Sequence, residues 1–353
     1  MKEVQKNIFE KISTKNSVSE EEFFGILKLV APGTNLRTAL EGALQSGRGA
    51  LIVVENENTQ NMFDGGFRIG ARFTPQKMIE LAKMDGAIVL NKDLKKINYA
   101  NVLLTPNSKI KTVETGTRHK AAERTAKQSE TLVIAISERK NEITLYYKNV
   151  RYPLIETGEL LRRANEHIQL LEKQRKLFDG YVEKLNNSEI KSYFDLKLAV
   201  QLVQKGRLIQ KIVEDLKKYS IELGGEATLI KISLREIYSN VEKETDLAIE
   251  DYSKIGFKKS REILDVLSYN EILSDESIVK SLGYENTNYL GGIVKGWRIL
   301  SKTSLTEEEI FKLVSNWSIK DILTFSEEDF NKLFEIKSGE SLKKQIEKIK
   351  SPF

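Results

Sequence analysis

The sequence predicts an α/β N-terminal domain, in which helices cover a mixed central sheet, followed by an all-α spine and a small helical C-terminal domain. Two observations predict this fold class. Residues 154–351 contain no proline and are rich in Leu, Lys, Glu and Ile, as long helices are. The first 150 residues instead contain short Val- and Ile-rich runs of strand length, bounded by Gly, Asn, Asp or charged residues. These runs lie at 50–54, 87–90, 131–137 and 143–147.

Helical patterns lie between and after these strands. Thr74 followed by Pro75 is typical of a helix start and predicts a helix over residues 75–84. Beyond Pro153, apolar residues recur every three or four positions, which predicts an elongated helical bundle.

Glycines and polar residues mark the ends of the later segments. The pair Gly224-Gly225 predicts a helix end, and the next helical run is expected over 227–255. The polar segment 283–292 predicts a domain boundary. We therefore predict three parts, which are residues 1–150, 151–285 and 286–353. Two tryptophans are expected in the core of the last part, Trp297 and Trp317.

Composition excludes several classes of function. The sequence has no cysteine, which excludes disulfides, thiolate metal sites and cysteine nucleophiles. The net charge is only +5 with 30% charged residues, so no global basic field indicates nucleic-acid binding. The N-terminus is charged, and no apolar run approaches the roughly 20 residues of a membrane span. We expect a soluble, cytoplasmic protein without a membrane partner.

The stretch ETGTRHKAAERTAKQSE, residues 114–130, combines a small-residue turn with a helical pattern. Free N–H groups at a helix N-terminus favour a phosphate, and Thr117, Arg118, His119 and Lys120 supply side-chain donors there. The alternative is a solvated helix start, in which Arg118 and Lys120 pair with Glu123 or Glu114. The local pattern leaves both interpretations open.

A second motif is KMDGAIVL, residues 83–90. Asp85 follows a predicted helix and precedes a predicted strand, and the small residues Gly86 and Ala87 allow a ligand to approach the backbone. A carboxylate in that position can hold a divalent metal or accept a proton from a hydroxyl group. The alternative is an ordinary Asp-Gly turn.

Together these motifs resemble a known family. The segments AKMDGAIVL, INYANVLLTPN, ETGTRHKAAERTAKQ and LVIAISERKNEITLYYKN occur in the order found in the diadenylate cyclase domain of the DNA-integrity scanning (DisA) family. The resemblance covers residues 29–150 nearly without a gap. It continues more loosely to GWRIL at 296–300, where the family's C-terminal module begins.

The resemblance implies condensation of two ATP molecules into cyclic di-AMP with release of two pyrophosphates. Because the product is two-fold symmetric, each chain is expected to carry half of a site. Asp85 corresponds to the residue that binds Mg²⁺ or Mn²⁺ and activates the 3′-hydroxyl, and Arg118 and His119 are its catalytic partners. The implied nucleotide contacts are Gly86, Ala87, Leu104, Thr117, Arg118, His119, Lys120, Ala121 and Ser137.

Two residues depart from the family pattern, which has Arg-His-Arg followed by Thr. Lys120 keeps the positive charge but lacks the planar fork of arginine, and Ala121 lacks a hydroxyl group. Since Asp85, Arg118 and His119 are present, we expect the activity to be retained. The alternative is a catalytically weakened nucleotide-binding scaffold whose main role is interaction with DNA or protein.

The family ends in a helix-hairpin-helix domain that binds DNA phosphates, and the corresponding segment here is degenerate. Gly339 fits the second glycine of the hairpin, but Lys337 and Ser338 replace the first glycine and the apolar residue. The resemblance implies DNA contacts by Lys337, Gly339, Lys343 and Lys344. It also implies a homo-octamer, binding of branched DNA such as Holliday junctions, and a nucleoid association if DNA binding is retained. The alternatives are a solvated amphipathic helix and a cyclase that has lost DNA sensing.

Overall fold

The computed structural model describes residues 18–287, 292–334 and 339–350. They divide into two compact units. The first unit contains the chain up to Ala164 together with Lys218–Leu229, and the second contains Asn165–Lys217 and the chain from Ile230 onward.

A single sheet of eight strands forms the centre of the first unit. Its order is β2-β5-β4-β1-β6-β7-β8, and β3 pairs with β5. The pair β1–β4 is parallel and all other pairs are antiparallel, so the sheet is mixed, as predicted. The strands are β1 Leu51–Val54, β2 Phe63–Asp64, β3 Phe67–Arg72, β4 Ala87–Leu90, β5 Lys96–Leu104, β6 Leu132–Ser137, β7 Glu142–Tyr147 and β8 Val150–Pro153.

Helices cover both faces of this sheet. Ile52 and Val54 of β1 point to one face, in a core that includes residues of the first three helices. Leu51 and Val53 point to the other face, where the fourth helix packs. Every residue of β1 is therefore buried, which explains why it is a continuous apolar run. The helices are α1 Glu20–Leu29, α2 Asn35–Gln45, α3 Pro75–Leu81 and α4 Thr117–Ser129.

The four strands expected from apolar runs are confirmed as β1, β4, β6 and β7. The helix start at Thr74 is confirmed as well, because the hydroxyl oxygen of Thr74 accepts a hydrogen bond from the N–H of Lys77 at 3.3 Å. The helix ends at Leu81 rather than at residue 84, because the chain turns through Asp85 and Gly86 into β4.

The chain beyond β8 is helical in its described residues, as predicted. One expected helix over 227–255 is instead two, because Asn240 adopts a left-handed φ of 61° between them. Gly224 is confirmed as a helix stop with a φ of +55°. The helices are α5 Thr157–Ile190, α6 Leu196–Glu222, α7 Thr228–Tyr238, α8 Val241–Tyr252, α9 Phe257–Val266, α10 Tyr269–Ile272, α11 Asp275–Ser281, α12 Trp297–Leu300, α13 Glu307–Asn316, α14 Ile319–Ile322, α15 Glu327–Phe334 and α16 Gly339–Lys350, with a 3₁₀ turn at Gly224–Ala227.

A buried ionic cluster holds α12 within the second unit. Arg298 is fully buried, and its guanidinium donates to Glu189 at 2.8 Å, to Asn186 at 3.0 Å and to Glu244 at 3.2 Å. Asp251 accepts hydrogen bonds of 2.8–2.9 Å from the backbone N–H groups of residues 296–298. Burial raises the pKa of Asp251 to about 6, against the lowering effect of these hydrogen bonds.

The two tryptophans pack against the apolar core of the last helices. Trp297 and Trp317 both contact a core that includes Ile299, Leu313 and Phe330, which confirms the expectation for them. Among the described residues, no helix combines the length and the apolar composition that crossing a membrane requires.

We expect Arg298→Leu to destabilise the second unit by about 3–5 kcal/mol, because it leaves Glu189 buried without a counter-charge. Denaturant unfolding followed by tryptophan fluorescence measures this directly, since both tryptophans lie in the affected core. Replacing both partners, as Arg298→Leu with Glu189→Leu, should recover much of the loss. Arg235→Leu on the exposed face of α7 is the matched control. If the denaturant midpoint of Arg298→Leu equals that of Arg235→Leu, the buried ion pair does not stabilise the second unit.

Candidate functional site

Strand register brings several of the predicted residues to one end of the sheet. Ala87, the first residue of β4, lies opposite Leu51 of β1, and Leu51 lies opposite Ala135 of β6. Ser137 follows two residues later at the end of β6. On the other side of β4, Ala87 lies opposite Val102 of β5, and β5 ends two residues later at Leu104.

The turn before β4 presents Asp85 at this end of the sheet. Asp85 is exposed, and its carboxylate makes no hydrogen bond or ion pair to any residue that the structure describes. Gly86 has a φ of +85°, and a Cβ atom there would lie 2.7 Å from the carbonyl carbon of Asn101. Because β5 approaches so closely, only glycine fits at this position. The turn therefore holds Asp85 at a fixed place beside buried Ala87.

The N-terminus of α4 is free of any side-chain cap. Gly116 is the N-cap residue and has no side chain that could accept from the first turn. The backbone N–H groups at the start of this 13-residue helix are consequently available to an anion. Thr117 is exposed there and adds a hydroxyl group.

Side chains of α4 itself fix the loop that leads into it. Arg124 donates to the carbonyl of Ile110 at 3.0 Å, and Lys127 donates to the carbonyl of Lys111 at 2.9 Å. Glu123 accepts a hydrogen bond from the N–H of Val113 at 3.3 Å. Side chains of α4 therefore hold the loop before the helix in place.

The ion pairs expected for a solvated helix start, from Arg118 and Lys120 to Glu123 or Glu114, do not form among the described residues. Glu123 pairs with Lys127 at 2.6 Å, and Glu114 pairs with Arg151 at 2.6 Å. Within the described part of the chain, neither Arg118 nor Lys120 forms an ion pair. Two cations therefore remain uncompensated at the start of α4.

Arg118 lies against the backbone of Gly49, which sequence reasoning missed. A Cβ atom added to Gly49 would lie 2.0 Å from Nη1 of Arg118, so any larger residue would displace the guanidinium. Gly49 immediately precedes Ala50 and β1, at the same end of the sheet as Ala87. The available signal was the glycine before the ALIVV run.

His119 is half-buried and is held from one side only. Its Nδ1 lies 2.8 Å from the hydroxyl oxygen of Tyr146, whereas its Nε2 is buried without a hydrogen-bond partner in the structure. The Tyr146 hydroxyl donates to Glu114 at 2.8 Å, and Arg151 also donates to Glu114. Burial is the largest influence on His119 and lowers its pKa, against the opposite effect of Glu114.

The Glu114 carboxylate, which accepts these two hydrogen bonds, is ionised. Burial alone would raise the pKa of Glu114, but hydrogen bonds from Arg151 and Tyr146 outweigh it, so this pKa lies below its usual range. Burial, together with Glu114, raises the pKa of Tyr146 far above normal, so its hydroxyl keeps its proton. The sequence did not single out Tyr146 or Arg151, because Tyr146 has the pattern of an ordinary strand residue.

The remaining predicted contacts differ in their surroundings. Lys120 is partly buried, and Ala121 packs against the apolar cluster between α4 and the sheet. Leu104 is buried in the same cluster. The hydroxyl oxygen of Ser137 accepts from the backbone N–H of Lys140 at 3.4 Å, so its own proton is available.

The predicted DNA-binding residues are only partly within the described structure. Lys337 lies outside the described residues. Gly339 is the first residue of α16. Leu342 and Ile346 of the same helix are buried in the C-terminal core, whereas Lys344 is exposed and Lys343 is partly exposed.

A divalent metal fits Asp85 only as one oxygen ligand among others. The described residues contain no group of three His, Asp or Glu side chains that could hold a metal by themselves. Mg²⁺ commonly takes one or two carboxylates and completes its shell with water and substrate phosphates. The unpaired carboxylate of Asp85 suits that arrangement, in which the nucleotide brings the remaining ligands.

The chain is similar to known proteins over most of its length. Residues 37–151 match the family described as DisA bacterial checkpoint controller nucleotide-binding, and residues 154–290 match the DisA bacterial checkpoint controller linker region. The DNA integrity scanning protein DisA of Clostridium acetobutylicum is 38% identical over 89% of this chain and 90% of its own length. That of Acetivibrio thermocellus is 39% identical over 88% and 89%. That of Clostridium botulinum (strain Kyoto / Type A2) is 37% identical over 93% and 94%.

We expect Gly49→Ala to weaken ATP binding on the order of 10- to 100-fold, because the added methyl group displaces the Arg118 guanidinium and its charged hydrogen bonds. Isothermal titration with ATP in the presence of Mg²⁺ measures the effect. Gly25→Ala is the matched control, since a Cβ atom at Gly25 would contact nothing within 4 Å. Equal affinities for the two variants would show that the position of Arg118 does not matter.

Proposed function

We propose a residue-level mechanism for this chain, which belongs to the DNA integrity scanning protein DisA family and is a diadenylate cyclase that converts ATP to cyclic di-AMP. The observation that carries the mechanism is the meeting of three features at one end of the sheet. These are the Asp85 turn, the uncapped start of α4, and the Arg118 guanidinium seated on Gly49.

The start of α4 is the proposed triphosphate site. Its free N–H groups and its helix dipole favour negative charge, and the hydroxyl group of Thr117 donates to a phosphate oxygen. Arg118 and Lys120 supply the compensating positive charge, and His119 donates from its ring. Ser137 at the end of β6 provides a further hydroxyl contact, and Ala121 lies beneath the bound phosphates.

The nucleoside occupies the adjacent strand ends. Gly86 and Ala87 allow the sugar to lie close to the backbone, and Leu104 forms an apolar contact for the adenine. Asp85 then faces the ribose and accepts the proton of the 3′-hydroxyl group. A bound Mg²⁺ or Mn²⁺ ion would offset the triphosphate charge and lower the pKa of that hydroxyl.

The chemistry consists of two identical substitutions. In each, the 3′-oxygen of one ATP forms a bond to the α-phosphorus of the other, while the bond from that phosphorus to the bridging oxygen of pyrophosphate breaks. The hydroxyl proton leaves through Asp85 to solvent. Two substitutions convert two ATP into one cyclic di-AMP, two pyrophosphates and two protons.

The two half-sites must face each other across a two-fold axis, because both nucleotides act as nucleophile and as electrophile. Exposed apolar side chains support such a contact. Leu103 at the end of β5 is 60% exposed, and Val113 in the loop before α4 is 85% exposed. Both would be covered by a second cyclase domain. The family resemblance extends this pairing to a homo-octamer of two tetramers.

The DNA-integrity role of the family extends the proposal to the C-terminal module. We place the contact with branched DNA on Gly339, Lys343 and Lys344 of α16 and on Lys337 before it, with suppression of synthesis as the response. Support comes from the orientation of α16, whose apolar side is buried and whose lysines remain accessible. DNA binding would place a cytoplasmic enzyme on the nucleoid.

We expect Asp85→Asn to reduce cyclic di-AMP formation by roughly 100-fold or more, while ATP binding persists, because the variant removes the proton acceptor but not the phosphate site. Co-expression of wild-type and Asp85→Asn chains in equal amounts tests the shared site. Two-fold pairing predicts about one quarter of the wild-type activity per chain, since only wild-type pairs work. An activity of one half would mean that each chain carries a complete site.

We expect the double variant Lys343→Glu with Lys344→Glu to weaken binding of a four-way junction at least 10-fold. The slope of log affinity against log salt concentration should become shallower by the amount that corresponds to about two phosphate contacts. Gel shifts over a salt series measure both. Lys312→Glu with Lys320→Glu is the matched control, because these exposed lysines in the same module change the charge equally. A wild-type enzyme that neither binds the junction at low salt nor responds to it would be a cyclase that has lost DNA sensing.

A further inference from the structure

We propose that Tyr146 is a positioning residue for the cyclase reaction, and that it acts on the triphosphate through His119. The Tyr146 hydroxyl connects His119 to the Glu114–Arg151 ion pair, and this chain of four side chains is called the histidine relay below. The relay selects one tautomer of His119 and stabilises its protonated form when a triphosphate binds. The proposal rests on the assignment of His119 to the phosphates.

The directions of the hydrogen bonds determine the tautomer. Glu114 is ionised and can only accept, so the single proton of the Tyr146 hydroxyl is donated to it at 2.8 Å. The oxygen of Tyr146 can then only accept from His119, whose Nδ1 lies 2.8 Å away. Neutral His119 therefore carries its proton on Nδ1, and its Nε2 has a lone pair without a partner among the residues that the structure describes.

The unpartnered Nε2 lies close to the helix start. The neighbouring ring carbon, Cδ2, would be 3.8 Å from a Cβ atom on the N-cap residue Gly116. A buried imidazole nitrogen without a partner is costly, and the structure leaves this one beside the proposed phosphate site. A proton gained at Nε2 would convert it into a donor for a phosphate oxygen.

The charges around His119 make its protonation depend on the ligand. Glu114 from the loop and Glu142 from β7 favour the cation, whereas Lys140 after β6, Arg151 from β8 and burial of the ring disfavour it. With these effects the pKa of His119 lies below its usual value in the free protein, and the ring is neutral near pH 7.

A bound triphosphate changes this balance. It brings several negative charges to the start of α4 and raises the pKa of His119. The imidazolium that results has a hydrogen-bond partner at each nitrogen, a phosphate at Nε2 and Tyr146 at Nδ1. Glu114 stabilises the positive charge through the Tyr146 hydroxyl, much as a buried carboxylate orients a catalytic histidine.

The proposed protonation of His119 makes kcat depend on pH. The protonated form exists below the pKa of the nucleotide complex, so kcat is expected to fall as pH rises through that pKa. Removing the Tyr146 hydroxyl takes away the acceptor at Nδ1 and lowers this pKa. The fall in kcat should therefore begin at a lower pH in the variant.

Tyr146→Phe is the decisive variant, because it removes one oxygen and keeps the ring that is buried between α4 and the sheet. We expect a loss of roughly 10-fold in kcat/KM at neutral pH, and a downward shift of the alkaline limb of kcat by about one pH unit. Glu114→Gln should shift the limb in the same direction. Tyr147→Phe is the matched control, since the hydroxyl of this neighbouring tyrosine donates to Glu22 on the other side of β7 and lies outside the relay.

The tautomer can be measured without catalysis. The chain has only two histidines, so magic-angle-spinning spectra of the full-length protein labelled with ¹⁵N-histidine report His119 beside His167 as an internal reference. We expect the Nδ1–H form of His119 in wild type and a mixture of tautomers in Tyr146→Phe. Adding 3′-deoxy-ATP, which lacks the attacking hydroxyl, should protonate His119 in wild type more than in the variant.

Two results would overturn the relay. One is an Nε2–H tautomer for His119 in the free wild-type protein, and the other is a Tyr146→Phe pH profile that coincides with that of Tyr147→Phe. If instead the tautomer is as proposed but 3′-deoxy-ATP leaves His119 neutral, the relay does not act on the triphosphate, and the assignment of His119 to the phosphates fails with it. Activity and the Asp85 mechanism are tested independently of these measurements.

Discussion

The site depends on how closely α4 packs on the sheet. Ala122 and Ala126 are completely buried against β1, β4 and β6, and their small side chains allow the helix to lie near the strands. This contact places the first turn of α4 at the end of the sheet where the strands present Gly49, Gly86 and Ala87. A larger residue at either alanine would lift the helix start away from those strand ends, so the apolar core on this face sets the geometry of the proposed anion site.

The start of α4 keeps a positive charge because the nearby acidic residues pair with other cations. Glu114 and Glu123 lie near Arg118 in sequence, yet both are occupied by other cations and by the loop before α4. The protein thus uses its carboxylates to fix the loop and leaves its nearest cations free for a ligand. Arg118 and Lys120 are basic side chains, whereas the charge of a histidine such as His119 depends on its surroundings. In the proposed site, the two basic residues would attract phosphate, and His119 would respond to what is bound.

Much of the fold was predictable because its core strands are buried on both faces. β1 and β4 are continuous apolar runs, which a sequence reveals directly. Strands β2, β3, β5 and β8 were missed for physical reasons. β2 has two residues, β3 is largely exposed, β5 alternates irregularly between buried and exposed residues, and β8 ends at a proline. The site shows the same division. Asp85 and the residues at 117–119 stand in recognisable motifs. The proposed roles of Gly49 and Tyr146 instead rest on contacts with α4 and the loop before it, and a glycine before an apolar run does not by itself reveal such a contact.

The two departures from the family pattern have unequal consequences in this structure. Ala121 packs against the apolar cluster under α4, so a threonine there would have to bring its hydroxyl to the edge of a core that already contains Leu104 and Phe63. The missing hydroxyl group is thus partly compensated by apolar contact. Lys120 has no such compensation, because it is a compact charge where the family has a planar fork, and a lysine binds phosphate through one point rather than two. We therefore expect any weaker positioning of the triphosphate to arise from Lys120. In the proposed relay, Tyr146 would limit this effect because it fixes the orientation of His119, the neighbouring donor.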